Sequence, residues 1–157
     1  ADIYVSDDKL HVHPPGAVIG EDRYYCMQLN VEAEALTYRK LAERRIRVKV
    51  KALMPNGYVK ERDFGSSGGS VIEVQCATSD EASMKARGEL EVKRRTFDGY
   101  EGSITGWLIP MCKPADSVTI KDKDYPYKDG TYFVTSVTTE FGKEGGKRKI
   151  DLGFRLS

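Results

Sequence analysis

Hydrophobic and polar residues alternate along much of this chain with a period of two. Ile46, Val48, Val50 and Ala52 alternate with Arg45, Arg47, Lys49 and Lys51. That spacing predicts a strand over 45–53 with one apolar face and one strongly basic face. Ile150, Leu152, Phe154 and Leu156 alternate in the same way with Lys149, Asp151, Gly153 and Arg155. Thr131 to Phe141 is a long run of Thr, Val, Tyr and Phe, side chains that suit a pleated, half-buried surface. Ser117 to Ile120 is a short β-branched run. Asp129-Gly130 predicts a tight turn ahead of the long run, because glycine takes positive φ without steric cost. Gly142 to Arg148, rich in Gly and Lys, predicts the turn before the last strand. The stretch 117–156 therefore reads as a three-stranded meander that closes the fold.

Upstream, Ile3-Tyr4-Val5 and Leu10-His11-Val12-His13 predict a small hairpin stopped by Pro14-Pro15. Tyr24 to Val31 predicts a strand with Tyr25, Met27 and Leu29 on one side. Glu32 to Ala42 fits either a strand continuation or a short helical turn. Asn56-Gly57 is a hairpin turn, and Tyr58 to Phe64 returns as the partner of 45–53. Gly65 to Ser70 reads as a mobile surface loop. It lacks phosphate-loop spacing, since no Lys follows its glycines. Val71 to Ala77 is another strand, and Gly102 to Ile109 another.

The period changes once. Thr78-Ser79-Asp80-Glu81 has the form of a capping box with Thr78 as cap. Ala82, Ala86, Leu90 and Phe97 then share a helical face, so one helix is expected over about 79–96. Glu81–Lys85, Glu89–Lys93 and Glu91–Arg95 have the acid-first i,i+4 spacing that supports a helix. Gly88 weakens the helix and predicts close packing on a sheet.

Composition narrows the function classes. With 157 residues the chain can bury a real core. Hydrophobic content of 39% and charged content of 31% describe a globular chain. A net charge of +1 gives no electrostatic case for bulk nucleic-acid binding. No apolar run is long enough for a membrane-spanning helix. The 3 cysteines, Cys26, Cys76 and Cys112, are odd in number and lack a CxxC pair, so they read as reduced, buried thiols.

Candidate chemistry is sparse. His11 and His13 share a strand face, but the chain has only 2 histidines and no evident further ligand, so no metal or cofactor is expected. Glu140 and Glu144 could be offered as a glycosidase carboxylate pair. Nothing places them on a cleft, and no Ser/His/Asp or Cys/His set is persuasive with 2 histidines, both near the N-terminus, so no enzyme is expected. Trp107, Tyr100, Tyr125 and Tyr127 could instead form a stacking platform, which would make the chain a binding module for glycan, peptide or single-stranded nucleic acid. The basic row Arg45, Arg47, Lys49 and Lys51 reads either as a contact surface or as a solvated face paired with acidic neighbours.

The order of elements carries a resemblance. The block Ala82…Ala86…Leu90, then Gly106…Pro110…Pro114…Val118…Ile120…Asp129-Gly130-Thr131-Tyr132-Phe133-Val134…Val137…Phe141…Leu152, resembles the tail hub proteins of contractile phages. These include the late control protein D and the XkdQ-like baseplate hubs, related to the N-terminal part of VgrG spikes. The 46–63 hairpin followed by Phe64-Gly65 fits the same pattern, so the resemblance runs from about Tyr24 to Ser157. Two departures are plain: Pro114-Ala115 stands where the family often has Pro-Gly, and Lys147 follows Gly145-Gly146 where an aromatic is usual.

The resemblance implies a mainly β fold, a small tube-type barrel of antiparallel strands with one flanking helix. It implies a hairpin at 1–15 that ends a preceding or inserted domain, and a hub-type barrel domain at 16–157. It also implies a piece of a longer hub. The expected role is structural and non-enzymatic: a virion tail component made in the bacterial cytoplasm, forming part of a ring between tail tube and spike. Its expected partners are further copies in a trimeric hub, tube proteins and spike proteins, with no membrane and no specific nucleic acid. Arg45, Arg47, Lys49, Lys51 and Trp107 are the expected interface residues.

Overall fold

A computed structural model describes residues 2–6, 8–13, 16–40, 45–143 and 145–157. The chain is mainly β with one helix, as its periodicity requires. It packs as two compact units, one of Ala1–Tyr38 with Gly99–Ser157, the other of Arg39–Asp98. The boundaries between the units fall near residues 38 and 98.

The second unit is the simpler. β5 (Ile46–Leu53) lies between β6 (Val59–Gly65), antiparallel to it, and β7 (Ser70–Cys76), parallel to it. Helix α1 (Glu81–Arg95) packs on one face. Val48, Val50 and Ala52 are buried there with Met84, and Phe64, Ile72, Val74 and Val92 pack around them. Each fully buried Val is worth about 1.5–3 kcal/mol of transfer free energy. The helix differs in detail from its sequence reading. Its N-cap is Asp80, whose carboxylate accepts from the Ser83 N–H at 2.9 Å, and not Thr78. Glu81 turns to β6, where Lys60 and Arg62 hold it. The buried face is Met84, Gly88 and Glu91, while Ala82 and Ala86 are exposed, because Met84 and Gly88 are the residues that meet the sheet. Of the expected i,i+4 pairs, Glu91–Arg95 forms at 3.3 Å, and Glu89 pairs with Lys85. The 65–70 segment is not loose. Ser66 N–H donates to Ile46 O and Ser70 N–H to Arg45 O, so the turn is bound across the start of β5.

The first unit contains β1 (Asp2–Ser6), β2 (Lys9–His13), β3 (Asp22–Cys26), β4 (Val31–Arg39), β8 (Gly99–Trp107), β9 (Ser117–Lys121), β10 (Gly130–Gly142) and β11 (Gly145–Arg155). β1 and β2 form an antiparallel ribbon in which Tyr4 faces His11. The others form a six-stranded sheet in the order β3-β9-β10-β11-β8-β4, curled into a half-barrel. β9 to β10, β10 to β11 and β11 to β8 pair antiparallel, and β3 lies parallel to β9. The core is Tyr25, Ile104, Val118, Ile120, Tyr132, Val134, Ile150 and Phe154.

Four local expectations change. β3 stops at Cys26, because Asn30 Oδ1 accepts from the Cys26 N–H and the chain turns over 27–30. The segment after it is a strand, β4, and not a helical turn; the part of 32–42 at 41 and 42 lies outside the described residues. Asp129-Gly130 is not a two-residue turn. It ends a longer connection containing a 3-10 turn at Pro126–Lys128, in which Asp129 accepts from the Asp122 N–H and from Lys121 Nζ, both at 2.8 Å. Arg155 lies over Gly130, where a Cβ would stand 2.8 Å from its Nε and the guanidinium would have to shift. Last, β11 begins at Gly145, whose φ of +100° closes the hairpin, so Lys147 and Arg148 belong to the ladder and not to the turn.

Candidate assembly surfaces

The basic row of β5 faces away from α1, and its charges are met by its own sheet. Arg47 pairs with Asp63. Lys49 reaches Glu61 at 3.4 Å, and Lys51 reaches Glu73 at 2.7 Å and Glu61 at 3.7 Å. Acids on both flanking strands thus neutralise the central bases, which is how cross-strand pairs stabilise a sheet. Arg45 lies just before the strand and is exposed. On α1, the buried Glu91 carboxylate is ringed by Arg87, Arg94 and Arg95 at 3.2, 3.6 and 3.3 Å. Arg94 and Arg95, in the last turn, also oppose the negative end of the helix dipole.

The aromatic residues divide into two places. Tyr100 is buried and donates to Asp122, and burial pushes its phenol well above the usual range. Tyr38 stands edge-on to Tyr100 at 5.4 Å and to Tyr127 at 6.2 Å, and Tyr127 stands edge-on to the exposed Tyr125. Trp107, half exposed, lies at the other end of β8 opposite Lys147. Tyr100 and Trp107 are seven positions apart on that strand, roughly 23 Å at about 3.3 Å per residue. The four aromatics that could form one platform are not brought together: Tyr100, Tyr125 and Tyr127 join through Tyr38, and Trp107 stands apart. Tyr38, which the sequence did not single out, belongs with Tyr125 and Tyr127.

The loop between β8 and β9 is braced from below. Arg148 is buried on β11, and its Nη1 donates to Leu108 O at 2.6 Å and Pro110 O at 3.0 Å. Tyr25 OH donates to Pro110 O at 2.9 Å. Burial pushes the Tyr25 phenol up to about 12 and the neighbouring Cys112 thiol up to about 12. Ile109 and Met111 project from this fixed loop with 81% and 55% exposure, and Phe141 near the β10–β11 turn is 81% exposed. Downstream, the Asp116 carboxylate is buried and accepts from the N–H groups of Glu21 and Lys113. No sequence signal marked Arg148 or Asp116: the carbonyls that Arg148 holds and the Glu21 N–H that Asp116 accepts lie 38 to 95 positions away, and only the Lys113 N–H is local.

Three stretches of this sheet lack a strand neighbour on one side among the described residues: β3 and β4 at its two ends, and part of β10. β4 is the last strand on one side. On the other, β9 covers β10 only from Gly130 to Phe133, so the outer side of Thr135–Gly142 faces no strand. An unpaired edge of β-branched residues is a template for another chain. A cavity of about 670 Å³ opens beside the start of that free edge, between β10, the 113–116 loop and the β1–β2 ribbon. His11 stacks on Tyr4 at 4.8 Å and His13 meets Tyr4 edge-on at 5.5 Å, so the two imidazoles pack on one aromatic ring. Among the described residues no group of three His, Cys, Asp or Glu side chains could hold a metal ion. Glu140 pairs opposite Lys147 in the ladder, and Glu144 lies outside the described residues.

Neither a protein-family model nor a curated protein matches the sequence. Solved structures do match the fold. The tail protein from Neisseria meningitidis MC58 superposes with a TM-score of 0.62 at 12% identity, over 96% of this chain and 50% of that one. The prophage MuSo2 43 kDa tail protein from Shewanella oneidensis gives a TM-score of 0.48 at 16% identity, over 83% of this chain and 40% of that one. The chain thus spans about half the length of the Neisseria protein and has its fold.

Proposed function

We propose that this chain is a structural, non-enzymatic component of a phage tail, a hub-type barrel domain that forms part of a ring between tail tube and spike. The observation that carries the proposal is that one curled sheet keeps unpaired edges on both sides, β4 on one and, on the other, β3 together with Thr135–Gly142 of β10. A head-to-tail contact between two different edges generates a ring when its rotation closes. The fold shared with a phage tail protein along nearly the whole chain supports the reading. In this proposal the neighbours are further copies of the chain, with tube and spike proteins above and below. Trp107 and the row Arg45, Arg47, Lys49 and Lys51 are outward-facing contact residues. The location is the virion tail.

Light scattering and negative-stain microscopy of the chain at a few hundred micromolar test this directly. A discrete oligomer with annular particles is the expected result. A monomer at every concentration, with no annular particles, rejects the reading.

A further inference from the structure

β10 outruns its outer neighbour. β9 leaves it after Phe133, while β11 follows it to the Gly142–Gly145 pair. Among the described residues no main-chain hydrogen bond reaches Ser136–Gly142 from outside the β10–β11 ladder. Val137, Thr139 and Phe141 share one face of this stretch, because strand side chains alternate. Val137 stands opposite Ile150, and Ile150 opposite Ile104, both buried. The apolar row Ile104-Ile150-Val137 therefore ends at the free edge. Further along the same face, Phe141 lies opposite Gly146. A Cβ there would meet Phe141 at 2.9 Å and Leu108 at 2.4 Å, so the two side chains close over the glycine. Phe141 remains 81% exposed.

A strand added to an open edge gains main-chain hydrogen bonds, and its side chains must suit those opposite. The free stretch of β10 suits a second copy of itself. Pairing antiparallel about a two-fold axis at Thr139 sets Val137 against the second copy's Phe141 and Thr139 against its own counterpart. Thr138 then meets Glu140, and Ser136 meets Gly142. This register uses Ser136–Gly142 from end to end. It places an aromatic ring against a β-branched side chain, both favoured in cross-strand pairs, and sets no charge opposite its like. The row Ile104-Ile150-Val137 runs on into Phe141 and Leu108 of the second copy, and Phe141 gains its cover. We propose that two copies join edge to edge through Ser136–Gly142, in an isologous contact about a two-fold axis at Thr139. The contact goes beyond the ring reading and does not rest on it, since β3 and β4 stay available for a head-to-tail contact.

Cysteine cross-linking of the full chain at a few hundred micromolar tests the register, in a Cys76→Ser background that removes the half-buried thiol. Directly opposite Cα atoms lie about 4.5–5.5 Å apart, within disulfide reach. Thr139→Cys is therefore expected to be captured as a disulfide dimer by copper-phenanthroline. Two copies of position 137 lie roughly 13 Å apart at about 3.3 Å per residue, as do two of 141, so Val137→Cys or Phe141→Cys alone should give roughly tenfold less dimer. Mixing those two proteins should restore capture. Sedimentation of the parent chain should show a monomer–dimer equilibrium, and the exposed-site variant Phe141→Glu should weaken it roughly tenfold with an unchanged circular dichroism spectrum. Equal capture at all three positions, no capture at 139, or a parent chain indifferent to Phe141→Glu overturns the inference. Capture at 139 without annular particles supports the edge contact and removes the ring. Annular particles without capture at 139 leave the ring and overturn the edge contact.

Discussion

Gly88 of α1 lies directly on the ring of Phe64 in β6: a Cβ at position 88 would sit 2.1 Å from Phe64 Cδ2. The helix and sheet of the second unit meet at this point, and only a residue without a side chain lets them do so. The weakest helix former in α1 is therefore also its closest contact.

Gly88→Ala sets two effects against each other. Alanine improves helix propensity by about 1 kcal/mol. Overpacking against the half-buried Phe64 ring costs about 1–3 kcal/mol. The contact is deep, so a net loss of roughly 1–2 kcal/mol is expected in urea unfolding. Phe64→Leu in the same chain should recover part of that loss. A more stable Gly88→Ala protein would show that the two elements can move apart freely.

Arg148 holds two carbonyls of the 108–110 loop from a buried position. Arg148→Met takes this donor from Leu108 O, while Pro110 O keeps the Tyr25 hydroxyl, and one unsatisfied group costs about 1–3 kcal/mol. A fall in stability of about 1–3 kcal/mol follows. Exchange at the Met111 and Cys112 amides should rise with it. Arg148→Lys should recover only part of the loss, because one ammonium on a flexible stem does not reproduce the planar fork. Full retention of stability by Arg148→Met would show that the loop is held by other means.

Glu81 gives a pH dependence with a definite sign. Hydrogen bonds from Arg62 and then Lys60 pull its carboxyl from 4.5 down to about 2. A group whose folded pKa is depressed contributes stability that is complete above its unfolded pKa and is lost as pH falls through the folded one. The stability difference between the parent chain and Glu81→Gln should be constant above about pH 5 and shrink steadily towards pH 2. Urea midpoints for both proteins across that range check it. A difference that stays flat down to pH 2 would mean the two cations do not stabilise the carboxylate.

Cys112 is buried, with its thiol pushed up to about 12 by that burial. A thiolate is the reactive form, so Cys112 should resist aromatic disulfide reagents at pH 8 in the folded protein. It should react at once in denaturant. Cys76, half-buried, should be the first thiol titrated. Mass-resolved labelling distinguishes the sites, and early labelling of Cys112 would contradict its burial.

Much of the fold was legible in local pattern. The alternation at 46–52 and 150–154 fixed which face of β5 and β11 is buried, because successive strand side chains must point to opposite sides. Val48, Val50, Ile150 and Phe154 are buried as that rule requires. The acid pairing of the β5 row was likewise among the readings the sequence allowed. Local pattern misled where a residue's role comes from something distant. Thr78 looked like a cap, yet Asp80 is the cap and Glu81 serves β6. Gly130 looked like a turn glycine, yet Arg155 from the end of the chain lies over it.

What the sequence determined by itself was therefore the type of each element and the inward face of most strands, since both follow from the side-chain period of a single segment. The tertiary structure alone decided the strand order β3-β9-β10-β11-β8-β4, and with it the edges left open. It also decided the burial of Arg148 and Asp116. A buried charge is tolerable only beside its partners, and theirs are the carbonyls of Leu108 and Pro110 and the N–H of Glu21, which only the folded chain brings within reach.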